Sequence, residues 1–476
     1  MKKDIGVQLF FHSDYILVPI YFITILIAAF LIRNINLRDS PLKKFFIPGL
    51  LVKILGGIAM GLVYGFYYPG GDTIYYYSDA GIFNIALNNS VFTFFQFLFL
   101  PANATTFSLY NYTHAATFFR DPSGWMTDKV YGIISIFSFH SYPVMSMMIA
   151  VLSYTGVWAL YLTFVNIYPK KYVAFAWAIL FVPSVFFWGS GILKDSVTFG
   201  CLGWITRCSY QIFFRKKNLI INSFVLLVLA YISIIIKPYI IISFLPALLF
   251  WIFLTYRNII KSSFLKIVSG PFVIAITLLS GYALIINLGN QFSKFSIENL
   301  MKTASDFQLW HGYLAQTQNE SGYSLGTMTG TWTNVISKVP LAINVTLFRP
   351  YLWEAHSLVI LAAALESAFI LLFTVYVLSK SGIKNLVQFS LKNPTLFFCL
   401  FFSLCFAFAV GFTSYNFGAL VRFKIPCIPF YLVGLIILNS LSKEAQLNNR
   451  IQKRKHRPFY ESVHGATNEP EPVRLN

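Results

Sequence analysis

Apolar runs of about 20 residues recur from one end of this chain to the other, and each is long enough to cross a membrane as an α-helix. That repetition restricts the fold more than any motif does. In hydrocarbon every backbone N–H and C=O must be satisfied within the protein, so helices are the economical way to span. Composition agrees: 57% of the 476 residues are hydrophobic and only 11% are charged, against about 25% charged in a soluble domain. The expected fold is therefore all-α, a polytopic integral membrane helical bundle with about eleven spanning helices. The spans fall at 15–33, 45–66, 143–166, 172–189, 192–213, 219–236, 239–256, 266–288, 356–379, 394–412 and 417–440. Segments 83–100 and 130–142 are apolar but short or interrupted, and are expected to lie at the interface. This makes one membrane domain, 1–442, with long loops at 67–142 and 289–355 and a basic, disordered tail over 443–476. The first apolar run has no small-residue cleavage site and reads as a retained span. No fixed-period repeat or matched pair of broken helices is visible.

The net charge of +19 does not point to nucleic acid, because the basic residues sit in short clusters between apolar runs. That distribution is the positive-inside bias of membrane proteins. Most of the 36 Lys and Arg residues fall on one side, which also has the short loops. That side is taken as cytoplasmic, with the tail inside and the N-terminus outside. Both long loops then face outward. The five cysteines lie in apolar segments without metal-ligand spacing, so they read as packing residues.

Tyr67-Tyr-Pro-Gly-Gly-Asp-Thr-Ile-Tyr-Tyr-Tyr-Ser-Asp79 is the densest polar stretch. Its Pro-Gly-Gly breaker turns the backbone and presents Asp72. A carboxylate among aromatics at a membrane edge suits acid/base work on a polyol, while the plainer reading is a tyrosine belt with a capping aspartate. If the chain is helical from Thr73, Asp72 and Asp79 share a face. Asp121 and Asp128 repeat the same spacing in the same loop, although Asp121-Pro122 is also an ordinary turn start.

Three further stretches are notable. Pro183 through Ser196 interrupts two apolar runs, and Ser190 is placed to cap a helix whose first turn holds Lys194, an anion-binding arrangement. Adjacent helical residues point about 100° apart, so Lys194 and Asp195 must serve different neighbours. Arg349 through His356 gathers Arg349, Glu354 and His356 ahead of a span. Arg422 and Lys424 open the last one. Outward cations run against the positive-inside bias, and Lys194, Arg349, Arg422 and Lys424 are candidates to converge on a phosphate. His311 and His356 lack partner spacing for a metal. Lys53, Arg207 and Glu366 lie within spans, where a charge needs a partner.

The long first outward loop with Asp72 near its start, and the ending Arg422-Phe-Lys-Ile-Pro-Cys-Ile-Pro429, resemble the GT-C superfamily of membrane glycosyltransferases. The resemblance implies sugar transfer from a polyprenyl-phosphate-linked donor to a glycan, lipid or protein acceptor, at the extracytoplasmic face of a bacterial inner membrane. It implies Asp72, with Asp79 as second carboxylate, in the catalytic role, and Lys194, Arg349, Arg422 and Lys424 on the donor phosphate. Tyr75, Tyr76 and Trp125 would stack on sugar rings, with Asp195, Glu354, His311 and His356 as secondary candidates. A divalent metal is a possible cofactor with no assigned ligands, and membrane lipids are the surrounding partner. Two readings stay open beside it. An O-antigen type polymerase or ligase would lean on Arg349, His311 and His356, and a lipid-linked glycan flippase would need charges along a path through the spans.

Overall fold

The computed structural model describes residues 9–68, 70–104, 106–257, 322–327 and 332–455, together with positions 262, 270, 271, 275 and 279. His311 and most of the expected span 266–288 lie outside the described residues. The chain is an all-α polytopic bundle. Among the described residues the one β feature is an isolated antiparallel bridge between Gly322 and Asn416.

Eight of the described helices are long and apolar enough to cross a membrane. They include α1 (Asp14–Asn36) and α2 (Lys43–Leu62), the latter extended by a π-turn through Tyr67. Four shorter helices then fill the first long loop: α3 (Asp72–Asn89), α4 (Val91–Phe99), α5 (Tyr110–Ala115) and α6 (Pro122–Phe137). The long α7 (Tyr142–Ile167) follows.

The next two expected spans differ from their sequence reading. Segment 172–189 is broken into α8 (Tyr172–Ile179) and α9 (Pro183–Trp188), because Pro183 cannot donate to the preceding turn and opens a new helix instead. Segment 192–213 contains α10 (Lys194–Tyr210), whose 17 residues carry Lys194, Asp195 and Arg207. Beyond it lie α11 (Leu219–Ile236), α12 (Pro238–Tyr256), α13 (Trp332–Phe348), α14 (Leu358–Ser381), α15 (Ile383–Lys392) and α16 (Pro394–Thr413). The last expected span begins later than read. Asn416 caps a separate short helix, α17 (Phe417–Phe423), and the spanning helix α18 runs Cys427–Lys455. Residues 443–455, expected to be disordered, continue α18, since their Lys, Glu, Ala, Gln and Leu content supports helix propagation.

The broken pair α8–α9 accounts for two of the three charges inside spans. Glu366 of α14 accepts from the Ser184 N–H and Oγ, both at 2.7 Å, and so satisfies the start of α9. Lys53 of α2 donates to the carbonyls of Val185 and Gly189 at 3.3 and 2.5 Å, closing its other end. Both charges serve orphan backbone groups at helix ends.

Helix α10 is buried on most of its surface and packs along α7 at very short range. A Cβ on Gly156 would sit 1.9 Å from the Gly200 carbonyl oxygen, and one on Gly203 would sit 2.0 Å from that of Gly156. Small residues permit this approach, which favours packing in lipid where the hydrophobic effect between helices is absent. Gly156→Ala forces α7 and α10 apart, and overpacking of this kind costs about 1–3 kcal/mol or more. A clearly lowered unfolding temperature of the detergent-solubilised variant is expected; an unchanged one would mean the two backbones do not meet there.

Candidate functional site

At the end of the bundle where α3 begins, four side chains from four segments form a continuous ionic chain. Gly70 and Gly71 take φ of +128° and +144°, and a Cβ on Gly71 would also strike the Tyr64 ring at 2.5 Å. Only glycine suits that turn. It delivers Asp72 as the first residue of α3, where a carboxylate complements the positive helix end. Asp72 Oδ2 lies 2.9 Å from Arg422 Nη2 on α17. The Nε of the same arginine lies 3.1 Å from Asp195 Oδ2 on α10, a charge contact without hydrogen-bond alignment. Asp195 Oδ1 then accepts from Lys237 Nζ at 2.5 Å, at the junction of α11 and α12. The Lys237 ammonium also lies 4.4 Å from the centre of the Phe423 ring.

Burial grades along this chain. The Asp72 side chain is 46% exposed, Arg422 is 15% and Asp195 is 1%. The exposed end is thus a carboxylate held by an arginine that is itself anchored from below. Two carboxylates and two cations balance, so the array is neutral while desolvated, as buried charge must be.

Lys194 departs from Asp195 around the helix, as adjacent residues do. Its Nζ donates to Asp121 Oδ2 at 3.1 Å and to Ser123 Oγ at 2.7 Å. Asp121 is also the N-cap of α6, accepting from the N–H groups of Ser123 and Gly124. Burial alone would raise the Asp121 pKa, but Lys194 and the Ser123 donors outweigh it and hold the carboxyl below its ordinary value. Lys194 sits 6.0 Å from the centre of the Tyr76 ring, and Tyr76 in turn feels the charges of both Asp72 and Arg422. The two ionic clusters are therefore neighbours. Ser190 plays no capping part. Leu193 is the N-cap residue of α10, and the Ser190 hydroxyl donates to the Phe186 carbonyl at 2.5 Å.

Several sequence candidates sit elsewhere. Asp79 is buried and accepts the backbone N–H groups of Thr117 and Phe118, both at 3.0 Å, so it anchors α3 to the loop before α6 and has no open face for the catalytic role expected of it. Tyr76 is buried and stacked on Phe118 at 4.5 Å, and Trp125 is enclosed by Phe83, Phe97 and Phe119 with its indole N–H on the Leu100 carbonyl. Their ring faces are occupied, which removes the stacking role expected of them. Tyr75 remains partly exposed.

Arg349, Glu354 and Lys424 form a separate cluster. Arg349 is bidentate to Glu354, with Nε to Oε2 at 3.0 Å, and Glu354 also accepts the Tyr351 N–H. Lys424 is fully buried, donating to the Arg349 carbonyl at 3.0 Å and the Ser367 hydroxyl at 2.8 Å. A side chain spent on a backbone carbonyl in the interior cannot meet a phosphate at the surface, so Lys424 leaves the donor-binding set. His356 is exposed beside this second cluster. Lys237 is the member of the ionic chain that sequence reasoning left out of its candidates, and Asp121, read there as one of a carboxylate pair, is instead the partner of Lys194. Lys237-Pro238 is a cation between two apolar runs, and Asp121-Pro122 is an N-cap signature; both signals were present without their partners.

A buried carboxyl pair adjoins the site. Asp128 lies against Asp79 with both oxygens buried and no donor to them. Burial first, then the Asp79 charge, push the Asp128 pKa well above its ordinary value; Asp79 is raised by burial too. A group with a raised folded-state pKa binds its proton more tightly when folded, so this contribution to stability is fully present below the unfolded carboxyl pKa and is lost as pH rises through the folded one. Asp128→Asn imitates the protonated acid. The variant is expected to unfold at a higher temperature than wild type in detergent, by a margin that widens from pH 5 to pH 8; a margin independent of pH would contradict the protonated pair.

Among the described residues no three His, Cys, Asp or Glu side chains converge as metal ligands do, and Asp72 faces a guanidinium where a metal site needs another donor. What the array can do without a metal is hold an oriented carboxylate at a half-open edge, paired with an arginine. An apolar groove of about 390 Å³ lies between α6, α7, α10 and α11, with Tyr131, Ser196, Val197 and Trp204 among its lining residues. Comparison with protein-family models, curated proteins and solved structures gives no match for this chain.

Proposed function

We propose that this protein is a membrane glycosyltransferase that moves a sugar from a polyprenyl-phosphate-linked donor to a hydroxyl acceptor, with Asp72 as the base. The observation that carries the reading is the Asp72–Arg422–Asp195–Lys237 chain. A carboxylate needed as a base must stay ionised, oriented and reachable, and Asp72 is the reachable end of a chain whose other members are buried. The acceptor hydroxyl oxygen attacks the anomeric carbon while its proton passes to Asp72. The bond from that carbon to the phosphate oxygen breaks, and the charge on the departing polyprenyl phosphate is met by Lys194 and Arg422. Asp121 and Asp72, each 46% exposed, cover these cations in the free protein. The polyprenyl chain takes the groove along α10, and Tyr75 offers a ring face to the sugar. On this reading the edge faces the extracytoplasmic side of a bacterial inner membrane, with the N-terminus outside and the C-terminus in the cytoplasm, an orientation that the positive-inside distribution supports.

A flippase is less well supported. Of the three charges within spans, Lys53 and Glu366 serve helix ends and form no path. A polymerase centred on Arg349 must first release that residue from Glu354. The test is transfer of labelled sugar from a panel of polyprenyl-phosphate sugars by the full chain in liposomes. Product formation that needs Asp72 and Lys194 supports the reading. Full transfer by folded Asp72→Asn and Lys194→Ala variants, or a larger loss in Arg349→Ala than in Asp72→Asn, overturns it.

A further inference from the structure

A second groove, of about 560 Å³, lies between α1, α2, α7 and α10 and ends at the loop joining α10 to α11. Most of its wall is apolar, with Ile25, Leu50, Trp158 and Trp204 among the lining side chains. Its end is different: Arg207, Gln211, Lys217 and two asparagines close it. Arg207 is about 18 Å along α10 from Asp195 at the helical rise of 1.5 Å per residue, so this groove is remote from the ionic chain described above.

Arg207 lies in the last turn of α10 and, unlike Lys53 and Glu366, keeps a buried polar atom without a partner. With its amide oriented to accept, Gln211 takes Arg207 Nε at 3.2 Å and Nη2 at 2.9 Å, and Nη1 is buried with no acceptor. Among the described ion pairs none involves Arg207. A guanidinium beside hydrocarbon needs acceptors for its buried N–H groups, and its planar fork matches a phosphate. Lys217 adds a second, exposed cation at the same end.

We propose that this groove holds one anionic glycerophospholipid of the surrounding bilayer, its phosphate on Arg207 and Lys217 and an acyl chain along Ile25, Leu50, Trp158 and Trp204. The cationic end selects the charge of the headgroup, and the apolar wall selects a lipid over a free anion. The phosphate end of the site is at the opposite end of α10 from the ionic chain, while its apolar wall shares Trp204 with the groove proposed for the polyprenyl chain.

Native mass spectrometry of the full chain in detergent tests this, with phosphatidylglycerol, phosphatidylcholine and inorganic phosphate as separate probes. Wild type is expected to retain one phosphatidylglycerol at least ten-fold more tightly than phosphatidylcholine, about 1.4 kcal/mol, and to retain no inorganic phosphate. Arg207→Gln is expected to abolish that preference. Ala28→Trp on α1 fills the groove from an exposed position and keeps Arg207, so it checks the chain-binding part even where Arg207→Gln fails to fold. Loss of the retained phosphatidylglycerol in Ala28→Trp supports the site. Equal retention of the two lipids by wild type, undiminished retention by Ala28→Trp, or equal binding of inorganic phosphate overturns it.

Discussion

Asp72→Asn is expected to lower sugar transfer by about two to four orders of magnitude, the usual worth of a general base, while leaving the protein folded. The two halves of that expectation have separate grounds. The amide is nearly isosteric but has no basic oxygen to take the acceptor proton. The fold survives because the Asp72 side chain is 46% exposed, and Arg422 keeps its contact with Asp195 when Asp72 is neutralised. A half-exposed ion pair contributes only about 0–1 kcal/mol. Measuring transfer and unfolding temperature on the same preparation separates the two effects. A variant that loses stability in step with activity would place Asp72 among the structural residues instead.

The opposite pattern is expected two links further in. Asp195→Ala leaves the buried Arg422 and Lys237 without the carboxylate between them. Removing one member of a buried ionic pair typically costs about 3–5 kcal/mol, because the remaining charge is stranded in a poor solvent. Folded, monodisperse yield should fall sharply, and activity should fall with it. Removing the second charge as well is expected to recover much of the loss. In Asp195→Leu with Lys237→Met the apolar pair replaces the buried ion pair, and Arg422 keeps Asp72 as its sole counter-ion; such exchanges are often neutral or stabilising. Thermal unfolding of the single and double variants reads this directly. If Asp195→Ala unfolds at the wild-type temperature, Asp195 does not bridge the two cations.

These two outcomes differ because of burial, and burial was the part of the site that sequence reasoning could not reach. Asp72 was legible: a Pro-Gly-Gly breaker at a helix start is a local signal, and the φ values of Gly70 and Gly71 express it. That Lys194 and Asp195 serve different neighbours was legible for the same reason, since it follows from helical geometry alone. The identity of those neighbours was not. Asp121, Lys237 and Arg422 come from segments far apart in the chain, and no periodicity links them. Asp79 and Trp125 were misread in the other direction. Each has a residue type that suits a sugar site, and each is enclosed by contacts from the loop 100–119, whose course a residue pattern does not disclose.

What the sequence determined by itself is the class of fold. Hydropathy is a property of consecutive residues, and a run of about 20 apolar ones has few solutions other than a spanning helix. Local punctuation was equally readable where one residue type decides it, as at Gly70–Gly71 and the Asp121 cap. Tertiary structure alone decided how an interrupted run is held, as at Pro183, and which charge neutralises which. A proline's effect depends on whether neighbours such as Lys53 and Glu366 can satisfy the backbone groups it frees. Charge pairing depends on distances between helices, and a difference of a few ångströms separates a cation free for a phosphate, as Lys194 can become, from one like Lys424 committed to the interior.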